Sequence, residues 1–198
     1  MTVISHQTHA LSINPASGEQ IGHYSYESAE VQDATLARAA AGYAVWRRTP
    51  VEARVERLLA LAGALRDNAE AMAQMITGEM GKPIAQARGE IEKCAQLCEW
   101  YADAGPAMVA PEAAPVTVGK ARIEYRPLGP ILAGMPWNFP TWQVLRGAVP
   151  ALLAGNVYVL KHAPNVMGSA YLLLDAIKRA GFPPVSYTHL RAHETRGN

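Results

Sequence analysis

Apolar positions recur along the chain with two different periods. Between residues 28 and 105 the period is helical. Ser28 opens an alanine-rich segment that runs to about Trp46, with Glu30 and Asp33 in the first turn, where the helix dipole favours acids. Thr49-Pro50 starts a second helix, and Glu52, three residues after the cap, completes a capping box. Its apolar stripe, at positions 51, 55, 58, 62, 65, 69, 72 and 76, continues to Gly78 and Gly81 and reads as one helix packed on its neighbours. A third helix starts at Pro83, carries Ala87, Ile91, Cys94, Cys98 and Tyr101 on one face, and closes at Gly105-Pro106.

Outside that section the pattern is extended. Residues 11 to 26 form a small hairpin around Asn14-Pro15-Ala16-Ser17-Gly18. Pro111 to Pro115 is a loop. Val116-Thr117-Val118 and Ala121 to Arg126 then flank Gly119-Lys120 as a two-residue turn. This second hairpin has one polar face; it suits an arm that pairs with another subunit and equally suits a surface flap. From Gly129 the order becomes strand, helix, strand, helix. Ile131 to Met135 and Val157 to Leu160 are the strands, and the second helix runs from Ser169 to Ala180. The fold class is α/β: amino-terminal helices plus the first βαβα of a parallel, doubly wound sheet.

The corner Gly134-Met135-Pro136-Trp137-Asn138-Phe139-Pro140-Thr141-Trp142 joins the first of those strands to its helix. Ligands of open α/β sheets settle where strand ends meet helix starts. Asn138 places an amide donor there, and Lys161 places an ammonium at the end of the parallel neighbour. Alternatively Asn138 caps the helix, the tryptophans fill core, and Lys161 is a solvated strand end. The glycine-rich G-x-G-x-x-G turn of an ordinary dinucleotide fold is absent after the first strand.

Composition narrows the partners. Of 198 residues 49% are hydrophobic and 18% charged, with a net charge of +1 and basic residues scattered, so neither nucleic acid nor a membrane is expected. Arg146, Pro150 and Asn156 interrupt the most apolar stretch, which excludes a spanning helix there. The first residues lack the pattern of a secretory signal, and two cysteines make no disulfide framework, so a cytoplasmic setting is expected. No metal is expected: His6, His9 and His23 lack acidic or thiol companions, and Cys94 and Cys98 lack two further ligands. Neither cysteine has the neighbours that would make it a nucleophile.

Pro136-Trp137-Asn138-Phe139-Pro140, followed by Ala151 to Lys161, resembles the aldehyde dehydrogenase superfamily. Glu79-Met80-Gly81-Lys82-Pro83 is similar to the family segment between two amino-terminal helices, and residues from about 11 to 183 fit throughout. The resemblance implies NAD(P)-dependent oxidation of an aldehyde by a homo-oligomer: a cysteine thiolate attacks, hydride passes to nicotinamide, and a glutamate activates the water that releases the acid. It implies that Asn138 is the oxyanion donor. Met135, Pro136, Trp137 and Asn138 would line the cofactor together with Lys161, Ala163 and Pro164, Lys161 bonding the adenosine ribose. Family members commonly continue Lys-Pro-Ala/Ser-Glu, whereas this chain reads Lys161-His162-Ala163-Pro164. The carboxylate near the ribose is missing, which leaves NAD or NADP open with NAD slightly favoured.

Arg146, eight residues after Asn138, resembles the arginine with which succinate-semialdehyde dehydrogenases grip the distal carboxylate, and Trp142 would be a wall of the aldehyde tunnel. As an alternative, Arg146 is an ordinary surface arginine. The expected organisation is a hairpin and helical section over 1–110, a β-hairpin arm over 111–128, and the start of a Rossmann-like NAD(P)-binding domain over 129–184. Residues 185–198 are polar, show no strand alternation and do not resemble the family, as a frameshift or vector-derived end would. His189 and His193 do not form the zinc H-E-x-x-H pattern. The chain thus reads as a truncated family member without catalytic cysteine or glutamate base. It is expected to be inactive alone, and to aggregate through the open edge of a two-stranded sheet. The alternative is a non-catalytic product that acts only as an interaction module with full-length subunits.

Overall fold

The computed structural model describes residues 8–184 and 186–191. Strands β1 (His9–Ile13) and β2 (Gln20–Ser25) form an antiparallel hairpin. Four helices follow: α1 (Ala29–Trp46), α2 (Val51–Asp67), α3 (Ala69–Met80) and α4 (Ile84–Val109). A second hairpin pairs β3 (Glu112–Ala114) with β4 (Ala121–Ile123). The remainder is β5 (Pro130–Met135), α5 (Trp142–Leu153), β6 (Val157–His162), a short 3-10 turn at Pro164–Val166, α6 (Met167–Arg179) and β7 (Tyr187–His189). Strands β5, β6 and β7 lie side by side in that order, all parallel. This confirms the α/β class and the right-hand end of the chain as the start of a parallel sheet.

The core is continuous from the helices into the sheet. Leu58, Leu61, Leu65, Met72, Ile76 and Ile91 are fully buried, as are Leu145, Leu152 and Leu160. β6 is buried along nearly its whole length, which is why Val-Tyr-Val-Leu reads as a continuous apolar run rather than an alternation. Arg54 reaches across this core: Nη1 donates to the Leu153 carbonyl at 2.9 Å and Nη2 to that of Arg47 at 3.1 Å. A cation on the last carbonyls of two helices suits the negative end of each helix dipole. Gly155, at φ +91°, admits this guanidinium, since a Cβ there would stand 2.9 Å from its nitrogens.

Several expected boundaries move. The stripe from 51 to 76 belongs to two helices, broken at Asn68, whose backbone leaves the helical region at φ −107°, ψ 10°. The capping box at Thr49 does not form; Pro50 holds the cap position without a side-chain bond. The third helix runs past Gly105-Pro106 to Val109, with Gly105 pressed against Leu153, so packing on α5 offsets the one bond that Pro106 cannot make. In the second hairpin the first arm is Glu112–Ala114, not 116–118, and the turn is correspondingly longer. The Tyr125 hydroxyl, donating to Glu112 at 2.6 Å, helps set that register.

The largest correction lies after Pro184. Tyr187–His189 pairs with β6, Leu160 opposite His189, so the sheet has three strands and that edge of β6 is covered. Strand pairing needs only backbone groups and β-tolerant residues, which Tyr and Thr supply without apolar alternation. His6, His193 and the rest of 192–198 fall outside the described residues. His9 and His23 meet across the hairpin with ring centres 4.4 Å apart and planes tilted by 34°. Among the described residues no group of three or more potential ligands could hold a metal, and no helix is long and apolar enough to cross a membrane.

A buried carboxylate ties the first hairpin to the sheet domain. Glu79, at the end of α3, accepts bonds from Ser12 Oγ (2.6 Å), Gly168 N (2.7 Å), Ser169 N (2.8 Å) and Ser169 Oγ (2.7 Å). It therefore caps α6 from a distance. Glu79→Gln keeps the volume but turns an NH₂ toward donors. We expect a loss of about 2–3 kcal/mol in urea unfolding, and an unchanged midpoint would show that the cap carries no weight.

Candidate active site at the strand-to-helix corner

The corner after β5 is held from three sides. At its base, Asn156 Oδ1 accepts the amides of Leu128 (2.8 Å) and Gly129 (3.1 Å), which fixes where β5 begins. Along the strand, Gly134 lies opposite Lys161 and Met135 opposite His162. Ala163 N donates to the Met135 carbonyl at 3.1 Å, the last rung before the chain turns away.

Glu90 of α4 then takes over. Its Oε1 accepts the backbone amides of Thr141 and Trp142, each at 2.9 Å, and so caps α5. Its Oε2 pairs with Lys82 Nζ, and that ammonium stands 3.7 Å from the centre of the Phe139 ring. Lys82 and Glu90 are both buried. A cation on an aromatic face, already paired with the carboxylate that caps the next helix, clamps residues 139 to 142 as a unit.

His162, which replaces the residue usual in the family pattern, is the third support. It is buried, its Nε2 lies 2.8 Å from the Pro140 carbonyl, and its Nδ1 accepts Ala163 N at 2.8 Å. Because Nδ1 accepts, the proton sits on Nε2 and is donated to Pro140. Burial holds its pKa below the usual histidine value, outweighing the bonds to the Pro140 and Met135 backbone.

With α5 capped by Glu90, Asn138 is not needed as a cap and does not act as one. Thr141 holds the cap position, and Asn138 is exposed, its side chain making no hydrogen bond among the described residues. Trp137 and Phe139 beside it are exposed in large part, not core. Pro136 is exposed, Met135 and Lys161 are half-buried, Ala163 is buried, and half-buried Pro164 begins the 3-10 turn. Nothing lies within 4 Å of where a Gly134 Cβ would stand, so the strand end beside Lys161 is open to a flat or bulky group. Trp142 is half-buried, with Lys93 Nζ 3.8 Å from its ring centre, and Arg146 is exposed one turn further along α5. The arrangement offers an amide donor, an open strand end beside an ammonium, and a cationic helix face. Cys94 and Cys98 are buried; burial pushes the first thiol well up and the second to about 12, so neither is a thiolate at neutral pH.

A family model described as the aldehyde dehydrogenase family matches residues 3–195. The chain belongs to that family. It is 56% identical over 189 residues to a protein of Escherichia coli K12 named succinate semialdehyde dehydrogenase (NAD(P)+) Sad, covering 96% of this chain and 41% of that one. It is 45% identical over 175 residues to a succinate-semialdehyde dehydrogenase (NADP(+)) 1 of Mycobacterium bovis BCG, covering 87% and 38%. Its fold superposes on the succinic semialdehyde dehydrogenase of Streptococcus pyogenes, solved with NADP+, with a TM-score of 0.89 at 30% identity, over 93% of this chain and 41% of that one. The chain thus spans about two fifths of the length of the relatives it matches.

Within the aldehyde dehydrogenase frame, the residues singled out by the motif all lie on or beside one sheet edge. The supports Lys82, Glu90 and His162 escape a motif search. One signal was available: Glu90 falls three residues after Ala87 and four before Cys94, on the apolar stripe of α4, and a carboxylate there must have partners.

Two outcomes follow. Glu90→Gln strips Lys82 of its partner, and Lys82→Met strips Glu90. Each is expected to cost about 3–5 kcal/mol in urea unfolding, with part recovered in the double variant; additive losses would mean the pair is not coupled. Second, burial also lowers His189, to about 3. The unfolded chain protonates both histidines near about pH 6.5, and the folded chain does so only at lower pH. Their contribution is therefore complete above that value and is lost as pH falls toward the folded pKa values. Urea midpoints should drop between neutral and mildly acidic pH, less so in His162→Gln; an equal drop in the variant would remove His162 from the account.

Proposed function

We propose that this chain carries one half of the site of an enzyme that oxidises succinate semialdehyde to succinate with NAD or NADP. The observation that carries this reading is Asn138, left without a protein partner on a corner that three buried groups hold rigid. Its amide N–H would hold the oxygen of the thiohemiacetal, a contribution typically worth about 10²–10³ in rate. Arg146 would grip the distal carboxylate, and Trp142 would form the wall between. Lys161 would bond the adenosine ribose beside the open backbone of Gly134, with Met135, Pro136, Trp137, Ala163 and Pro164 around the cofactor, which supplies the hydride acceptor when bound. The names of the relatives support the substrate, and their NAD(P)+ and NADP+ designations support the cofactor class. Pro164, where the family pattern has a glutamate, puts no negative charge against a ribose 2′-phosphate, so both cofactors are accepted.

The nucleophilic thiolate and the base are not supplied by residues 1–198 in this reading. The two cysteines are buried protonated thiols, and both buried glutamates are committed to helix caps. Residues 185–198 are proposed to depart from the usual family sequence, although the family model is matched as far as residue 195. Among the described residues, four of the eight buried side-chain polar atoms without a partner belong to Ser186, Tyr187 and His189. Strands of a parallel sheet are normally apolar, and each orphan costs about 1–3 kcal/mol. A second reading, a non-catalytic interaction module, draws on the arm: Val118 and Tyr125 stand exposed on or beside the second hairpin, as a subunit-pairing surface would.

Purified chain incubated with succinate semialdehyde and either cofactor is expected to form no NADH or NADPH. Turnover would overturn the half-site reading, and co-purification with an intact homologue would favour the module.

A further inference from the structure

The cationic face of α5 has a component that the family motif does not name. Lys93 lies three residues after Glu90 on α4, so both face the start of α5. Glu90 holds the Trp142 amide, and Lys93 Nζ sits over the Trp142 ring at 3.8 Å. The position of this ammonium is therefore set by the same clamp that shapes the corner. Arg146 follows Trp142 by four residues and shares its side of α5. Lys93 thus stands on a half-buried indole, and Arg146 lies exposed one turn further along the same helix as that indole. Among the described residues neither has a carboxylate partner. Of the carboxylates nearest in sequence to Lys93, Glu92 is paired with Arg66, and Glu90 is taken up by Lys82 and by two amides. Elsewhere on the helices, Arg66, Arg88 and Arg179 have acidic partners, whereas Arg38 donates to the Thr35 hydroxyl instead. Like charges gathered without a counter-ion disfavour each other, and an anion between them relieves this.

We infer that Lys93 is a specificity-determining residue: with Arg146 it binds the distal carboxylate of a short carboxy-aldehyde, across the indole of Trp142. This rests on the proposed role of Arg146 and extends it. Arginine presents a planar fork to two carboxylate oxygens, while lysine is a compact charge that donates N–H bonds to the remaining lone pairs. The aldehyde end of the ligand then points along the Trp142 wall toward the corner that carries Asn138. An aldehyde without the far carboxylate leaves both cations unanswered, and this is the basis of selection.

The test uses the full chain, with γ-hydroxybutyrate as an unreactive stand-in for the semialdehyde and γ-hydroxybutyramide as its neutral counterpart. Binding is followed through the Trp142 indole N–H in nitrogen-labelled protein. Saturable shifts are expected with the carboxylate and not with the amide. Lys93→Met should weaken binding by about tenfold, the worth of one charge-assisted bond, and Lys93→Arg should restore it. Both changes are at an exposed position, so an unaltered spectrum serves as the check on folding. If Arg146→Met abolishes binding while Lys93→Met binds like the parent, the inference falls and the proposed function stands. If the carboxylate and the amide behave alike in the parent chain, the role of Arg146 falls and the inference with it.

Discussion

A carboxylate buried beneath a turn governs the geometry of the whole ligand edge. Glu90 comes from the helical section, yet its hydrogen bonds end on the first amides of α5, in the sheet domain. Its charge is answered by Lys82, and Lys82 is in turn held over Phe139 of the corner. Each member therefore justifies the burial of the next. An unpaired charge at this depth costs several kcal/mol, so the corner cannot relax without exposing or stranding one of them. The consequence for Asn138 is indirect and decisive. Since the α5 amides are already satisfied, its side chain is released from capping and is available to a ligand.

Glu79 repeats the device one helix later. It caps α6 at Gly168 and Ser169 as Glu90 caps α5. Both helices that follow a sheet strand thus have their amino ends occupied by protein carboxylates. In many nucleotide-binding folds those ends receive phosphate. Here protein carboxylates occupy those amides, so in the proposed reading a cofactor at this edge would be held by strand ends and side chains such as Lys161. The absence of a glycine-rich turn after β5 is the sequence counterpart of the same fact.

Much of this was legible in the residues. The helical period, the β-branched run at Val157 to Leu160 and the Pro136-to-Pro140 corner fixed the class of fold and the ligand edge. Misreadings came where local signals and packing disagreed. Thr49 and Glu52 spell a capping box that does not form, and Gly105-Pro106 spells a stop that tight packing on Leu153 overrides. Asn68 breaks a stripe whose apolar spacing is uninterrupted, because periodicity reports which face is buried and not where the axis bends. The supports of the corner were hidden for a different reason. Glu90 meets residues 141 and 142 some fifty positions away, and pairings at such range leave no trace in local pattern.

That separation also orders events during folding. The corner belongs to a βα unit that is local in sequence, yet two of the groups that give it shape, Lys82 and Glu90, lie in the α3–α4 connection and on α4. Closing loops of that length is costly in entropy and slow compared with winding a helix. The helical section must therefore dock before the corner becomes rigid, and until then α5 lacks its cap. The residues that would touch substrate are among the last in the chain to find their places.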